Sequence, residues 1–182
     1  FYNSTRPEKG GRAMPGRPIT CCFTGHRPEK LPWGTDEADP RCNLLKRKLQ
    51  DALNSAYDDG MRHFICGMAR GCDFYFAEAV LALRRRREDV SLEAAAPCPS
   101  QADGWPEEDR NRWRSLLAQC DLETLVQDQY TRGCMLRRNR YMVDHSALVI
   151  AVYDGAGGGT RRTLEYALRQ RVPFVDIDPQ NP

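Results

Sequence analysis

The sequence predicts an α/β fold, a Rossmann-like three-layer domain with a mostly parallel sheet. Two patterns lead to it. Short apolar runs, ITCCFT at 19–24, HFIC at 63–66 and LVIAV at 148–152, alternate with longer segments of helical period, as strand-helix-strand units do. The same runs end in loops carrying glycine, GHRP, GMARGCD and DGAGGGT, and parallel strands deliver such loops to one edge of their sheet.

The 182 residues, 41% hydrophobic and 29% charged, suit one domain with a single substantial core. No apolar run approaches the ~20 residues that a bilayer requires, so no membrane association is expected. A net charge of +2 does not by itself call for a polyanion. The eight cysteines make no CxxC pair, several lie inside apolar runs, and the three histidines His26, His63 and His145 are scattered. Neither a disulfide framework nor a metal site is expected; the thiols read as small hydrophobes of a reduced, cytoplasmic protein.

Residues 1–18 are rich in Gly, Pro, Arg and Lys without an apolar period, and read as a tail outside a domain of residues 19–182. Met14 stands just before the first strand and is a candidate natural start. The strand at 19–24 must turn at Pro28, which cannot continue it. Asp39 followed by Pro40 is a helix start, Leu45, Leu49, Ala52, Leu53 and Ala56 keep the helical period, and Gly60 closes the helix. After the strand at 63–66, Asp73 reads as the cap of a helix over 74–87, whose basic end Arg84 to Arg87 suits the helix dipole.

A third strand is expected at 90–96, stopped by Pro97 and Pro99. A helix follows with Trp113, Leu116, Leu117 and Cys120 on one face, then a short strand at 122–126. The segment 133–144 predicts a basic helix, with Met135, Leu136, Met142 and Val143 toward the sheet and Arg137, Arg138 and Arg140 outward. Leu164, Ala167 and Leu168 mark the last helix, and PFVDI at 173–177 the last strand.

The stretch 147–165 concentrates the chemistry. A buried-type strand runs into Asp154, Gly155, Gly157, Gly158 and Gly159, and Thr160 is placed to cap the next helix. Glycines let backbone N–H groups approach a ligand, and a helix N-terminus favours an anion, so the stretch reads as a phosphate cradle. Two other loops share that edge: Thr24, Gly25, His26 and Arg27 after the first strand, and Gly67, Met68, Ala69, Gly71 and Asp73 after the second. Three such loops meeting at one sheet edge point to a nucleotide or nucleotide-derived ligand.

Four segments in order, TGHRPEKLPW, GMARGCD, RRNRYMVDHS and YDGAGGGTRRTLEYA, resemble the YpsA family of the SLOG superfamily. That superfamily also holds the Smf/DprA proteins and the Lonely-guy (LOG) phosphoribohydrolases. The resemblance runs from Ile19 to about Asp178 and implies binding of a nucleotide-derived molecule, such as NAD, ADP-ribose or a nucleoside phosphate, by a sensor or ligand-processing module. No cofactor is implied beyond that ligand, whose identity stays open, as do the protein partner and assembly as a homodimer. GMARGCD is similar to the glycine motif of DprA, which would imply single-stranded DNA binding; the near-neutral charge and the absence of a run of exposed aromatics speak against nucleic acid. LOG enzymes, which cut the N-glycosidic bond of nucleoside 5′-monophosphates, carry an Arg-Lys pair before the glycine loop and a Glu three residues after its Thr. Here Arg138 and Asn139 fall at the pair and Thr163 at the acid, with Glu165 two positions on. The LOG-like alternative would therefore rest on Arg138 and a displaced Glu165.

Single residues carry ordinary readings as well. His26 can be a structural hydrogen bonder, Asp73 a cap that also touches a ribose, and Asp144 and Asp154 turn closers. Trp33 and Trp105 are either core edges or a stacking wall. Removal of residues 1–13 is expected to leave the melting temperature unchanged in a thermal denaturation scan, and a large drop would refute the tail assignment.

Overall fold

Six parallel strands form one sheet in the order β4-β3-β2-β1-β5-β6 in the computed structural model, which describes residues 16–182. Most of the predicted tail lies outside the described residues. Of its last part, Arg17 opens a short 3₁₀ turn and its Nε donates to the Ser146 carbonyl at 3.1 Å. The elements follow the expected alternation: β1 (Thr20–Thr24), α1 (Pro40–Asp58), β2 (His63–Cys66), α2 (Cys72–Arg84), β3 (Ser91–Ala96), α3 (Glu107–Leu117), β4 (Leu122–Leu125), α4 (Cys134–Asp144), β5 (Leu148–Val152), α5 (Gly159–Arg169) and β6 (Phe174–Ile177).

The layers follow from the two-residue period of the strands. Cys21 and Phe23 of β1 point into a cluster with α1, α2 and Leu116 of α3, whereas Cys22 points into a second cluster with α4 and α5. On α1, Leu45, Leu49 and Leu53 repeat every four residues and are fully buried, each contributing about 1.5–3 kcal/mol of apolar burial. Asp39 caps that helix by accepting the Arg41 N–H at 2.8 Å, and Gly60 leaves it with φ +99°. All eight cysteines are buried and, among the described residues, form no disulfide.

The chain moves outward from β1 through β2 and β3 to β4, then returns on the other face to place β5 beside β1. This reversal puts the topological switch point between β1 and β5, where an open parallel sheet parts its loops into a crevice. No helix among the described residues is long and apolar enough to cross a membrane.

Several local expectations need correction. The helix after β2 starts at Cys72 with Gly71 as its N-cap, so Asp73 lies inside the first turn rather than capping it. That helix also ends at Arg84. Thr160 does not cap α5 either; Gly158 is the N-cap. The helix carrying Trp113 stops at Leu117, and Cys120 is buried in the turn beyond it. Arg138, expected to reach outward, is buried.

A polar network lies inside the sheet at the other end of β2. His63 Nδ1 is 2.8 Å from Ser91 Oγ and its Nε2 is 2.8 Å from Glu93 Oε2. Thr124 Oγ1 and Tyr141 Oη each donate to Glu93 Oε1 at 2.7 Å. Burial alone would raise the Glu93 carboxyl, but the His63, Tyr141 and Thr124 bonds and the His63 charge hold it below its usual value. A carboxyl lowered by folding stabilises the fold above its unfolded value and loses that contribution as pH falls through the folded one. Glu93→Ala is therefore expected to cost about 3 kcal/mol or more in urea denaturation at pH 7, and to flatten the loss of stability below about pH 4.5.

Candidate functional site

At the switch point the loops after β1 and β2 are locked by a close approach of their backbones. The Cys72 N–H donates to the His26 carbonyl at 3.1 Å. A Cβ on Gly25 would stand 2.6 Å from Cys72 Cβ, and one on Gly71, whose φ is +85°, would stand 2.9 Å from the His26 carbonyl oxygen. Only glycine fits both positions. Between these loops, α4 and the start of α5 lies a cavity of about 250 Å³.

Its wall contains Thr24, Gly25, His26 and Arg27 from the first loop, Ala69 and Asp73 from the second, Arg138 and Asn139 from α4, and Gly159 and Thr160 from α5. Those ten predicted residues are brought together. Phe23, Met135 and Met142 add an apolar portion, and Glu29 and Lys30 reach the rim. The sequence reading missed Lys30, although a three-residue turn opened by Pro28 returns it to the side of Arg27. It also missed Gln101, whose Nε2 donates to the Gly67 carbonyl at 2.8 Å from a segment that reads as an ordinary polar loop.

Arg138 fixes the floor of the cavity. Its Nη1 donates to the Gly67 carbonyl and, at 3.3 Å, to the Ala95 carbonyl, while its Nε donates to Asn139 Oδ1 at 2.8 Å. Burial pulls the guanidinium below its usual value, and the charge of Asp73 works in the opposite direction. A Cβ on Gly67 would overlap that guanidinium. Gly67 thus serves the cavity from behind, as does Met68, held at φ +54°. Burial likewise pushes the Asp73 carboxyl up to about 6, against the pull of Arg138, the Ala69 N–H and Arg27. Asp73 Oδ2 accepts from Ala69 N at 3.0 Å, tightening the second loop where a cap was expected.

The third loop stands at the rim. His26 Nε2 lies 2.8 Å from Asp154 Oδ1, and because a carboxylate only accepts, Nε2 carries the proton. Slight burial would raise the Asp154 carboxyl, yet the Ala156 N–H and His26 hold it below its usual value. Asp154 thus reaches the cavity through His26. Gly155, Gly157 and Gly158 are exposed, and the Gly157 carbonyl accepts from Lys30 Nζ at 2.5 Å.

Glu165 is exposed and paired with Arg161 at 2.9 Å, one turn along the outer face of α5, outside the cavity. Thr163 is buried: its hydroxyl donates to the Gly159 carbonyl at 2.9 Å and accepts from Asn139 Nδ2 at 2.8 Å, joining α5 to α4. Trp33 is in the core and Trp105 packs against Phe74 and Trp113, so neither forms a stacking wall. A larger cleft of about 410 Å³ lies between the C-terminal ends of α1 and α2, lined by Asn54, Tyr57, Asp58, Leu83, Arg86 and Arg87. It is at the sheet edge opposite the strand-end loops, and helix C-termini there oppose an anion.

A carboxyl raised by folding leaves the fold most favoured when protonated and costs stability as pH rises through its folded value. Asp73→Asn, which keeps an oxygen for the Ala69 N–H, is expected to flatten the pH dependence of stability between about pH 4 and 6. It should also stabilise the chain at pH 7 by no more than about 3 kcal/mol in denaturant titrations.

Known proteins repeat this architecture. The chain is 24% identical over 151 residues to UPF0398 proteins of Bacillus thuringiensis (strain Al Hakam) and Bacillus cereus (strain Q1), covering 81% of each chain. Its fold is similar to that of DNA processing protein A from Helicobacter pylori, at a TM-score of 0.62 and 17% identity over 90% of this chain and 70% of that one. It is similar also to DprA from Streptococcus pneumoniae, at a TM-score of 0.61 and 15% identity over 86% of this chain and 49% of that one. A family model described as the YspA SLOG family matches residues 21–172, and with a match across that much of its length the chain belongs to this family.

Proposed function

We propose that the cavity at the switch point binds a nucleotide or a nucleotide-derived small molecule. One observation carries the reading: the loops after β1 and β2, α4 and the N-terminal turn of α5 surround a cavity whose wall combines cations, a buried acid and an apolar portion. Arg27, Lys30 and the N-terminal turn of α5 suit a phosphate. Asp73, with one oxygen held by Ala69, suits a sugar hydroxyl, and Met135 and Met142 suit an apolar or aromatic ring. At about 250 Å³ the cavity is below the ~300–1,000 Å³ of most small-molecule clefts. One nucleotide unit matches this size, and a dinucleotide such as NAD would extend through the open mouth.

Binding is favoured over bond cleavage. Hydrolysis of an N-glycosidic bond needs a placed carboxylate to stabilise the oxocarbenium-like state or to activate water. Glu165 is outside the cavity, and the position of the acid in LOG enzymes is held by the buried, doubly bonded Thr163.

A second reading, single-stranded nucleic acid, has one observation in its favour beyond the single-stranded DNA binding mode named for the Helicobacter pylori protein. Residues 131–172 hold eight arginines against three acids, an asymmetry that the net charge of +2 conceals. Arg137 and Arg140 of α4 and Arg162 and Arg169 of α5 are exposed, and Arg140 and Arg169 flank the Tyr166 ring at 5.4 and 5.8 Å.

One panel separates the readings. Thermal shift and calorimetry with nucleoside monophosphates, NAD and ADP-ribose are expected to show binding without released base. A labelled oligothymidylate should bind more weakly and lose its affinity steeply with added salt. Released base would restore the hydrolase, and an oligonucleotide that binds more tightly than any mononucleotide would favour nucleic acid.

A further inference from the structure

Lys30 holds a position that its sequence context does not announce. Pro28 opens a 3₁₀ turn in which Lys30 N donates to the Arg27 carbonyl and Leu31 N to the Pro28 carbonyl, both at 3.0 Å, and the buried Leu31 and Trp33 anchor the chain beyond the turn. The turn directs the exposed Lys30 across the mouth of the cavity to the glycine loop, where Nζ donates to the Gly157 carbonyl at 2.5 Å. A Cβ on Gly158 would come within 2.5 Å of that ammonium, and Gly158 has φ +148°, so the loop leaves the space that Lys30 Nζ fills.

The ammonium lacks an anion among the described residues. Neighbouring carboxylates are engaged elsewhere: Glu29 pairs with Arg70 at 3.0 Å and Asp154 with His26 at 2.8 Å. An ammonium has three N–H donors, and the only bond Lys30 Nζ makes among the described residues is to a neutral carbonyl. It stands beside the N-cap of α5, the positive end of that helix dipole, with Arg27 on the same cavity wall. Positive groups thus converge on one rim, with no carboxylate among the described residues bound to Lys30 to offset them.

We propose that Lys30 is a phosphate-contacting residue of this site, exchanging the Gly157 carbonyl for a phosphate oxygen when a ligand enters. The inference rests on the nucleotide reading and assigns its phosphate end. It also gives the glycine loop a role: loss of the Lys30 tether on binding releases the Gly157 carbonyl, so that Gly157 and Gly158 can turn their N–H groups to the phosphate while the Ala156 N–H stays on Asp154.

Calorimetric titration of the wild type, Lys30→Met and Lys30→Arg with adenosine 5′-monophosphate and ADP, and with adenosine as the phosphate-free control, tests this. Lys30→Met is expected to lose about tenfold or more in affinity for both phosphorylated probes while leaving adenosine unchanged. Lys30→Arg should stay within about threefold of the wild type, because it keeps the charge. If Lys30→Met binds the phosphorylated probes as the wild type does, or loses adenosine to the same degree, the assignment of Lys30 is overturned while the nucleotide reading stands. A wild type that binds none of the probes overturns both.

Discussion

One buried guanidinium ties the crossover helix α4 to the first half of the sheet. Arg138 arises from α4, the helix that carries the chain back across the sheet, and it bonds to carbonyls at the ends of β2 and β3 in the first half. A charge taken out of water is costly unless its donors are satisfied. Here the carbonyls of Gly67 and Ala95 accept from Nη1 and the amide oxygen of Asn139 from Nε, and the charge of Asp73 lies close enough to act on the guanidinium. The arrangement works only while Gly67 lacks a side chain. The glycine that the sequence suggests for contact with a ligand is in fact required by the protein's own arginine.

The fold was legible because it depends on properties that a sequence displays directly. Strand runs, helical periods, the Asp39-Pro40 start and the Gly60 stop all express local preferences, and each element appears near its expected place. The candidate cavity was legible at the level of the loops after β1 and β2, since parallel topology brings strand ends together whatever their side chains do, whereas Gly155, Gly157 and Gly158 of the third loop stand outside its wall. What failed was direction. An arginine on a polar helix reads as solvent-facing, and nothing in RRNR distinguishes Arg138, buried among carbonyls, from its exposed neighbours Arg137 and Arg140. Asp73 and Thr160 read as caps because their residue types favour that role, but glycines precede both helices. Lys30 and Gln101 owe their places to contacts more than thirty residues away in sequence, which no local pattern reveals.

The division of charge also bears on chemistry. Cations gather at the rim, whereas the acid within the cavity, Asp73, is buried and has a raised affinity for its proton. A protonated carboxyl donates a hydrogen bond as well as accepting one, so Asp73 gains a donor as pH falls through about 6 and is chiefly an acceptor at neutral pH. Glu29 at the rim is engaged by Arg70, and Asp154 is held in its charged form and oriented toward His26. Thr163, farther along α5, is bonded to Asn139 and joins that helix to α4.

The eight buried cysteines have a practical consequence. They are distributed through both core layers, in strands, at helix starts and in turns. Burial pushes the Cys22 thiol up to about 12 and raises Cys21, Cys66 and Cys72 well above their ordinary value. A thiol in that condition is a poor nucleophile until it meets water. The protein thus contains a native set of labelling clocks, in which the order of alkylation by a thiol reagent records the order in which its parts open. Cys66 and Cys72, bracketing the second loop of the cavity, would time the opening of the site against that of the surrounding core.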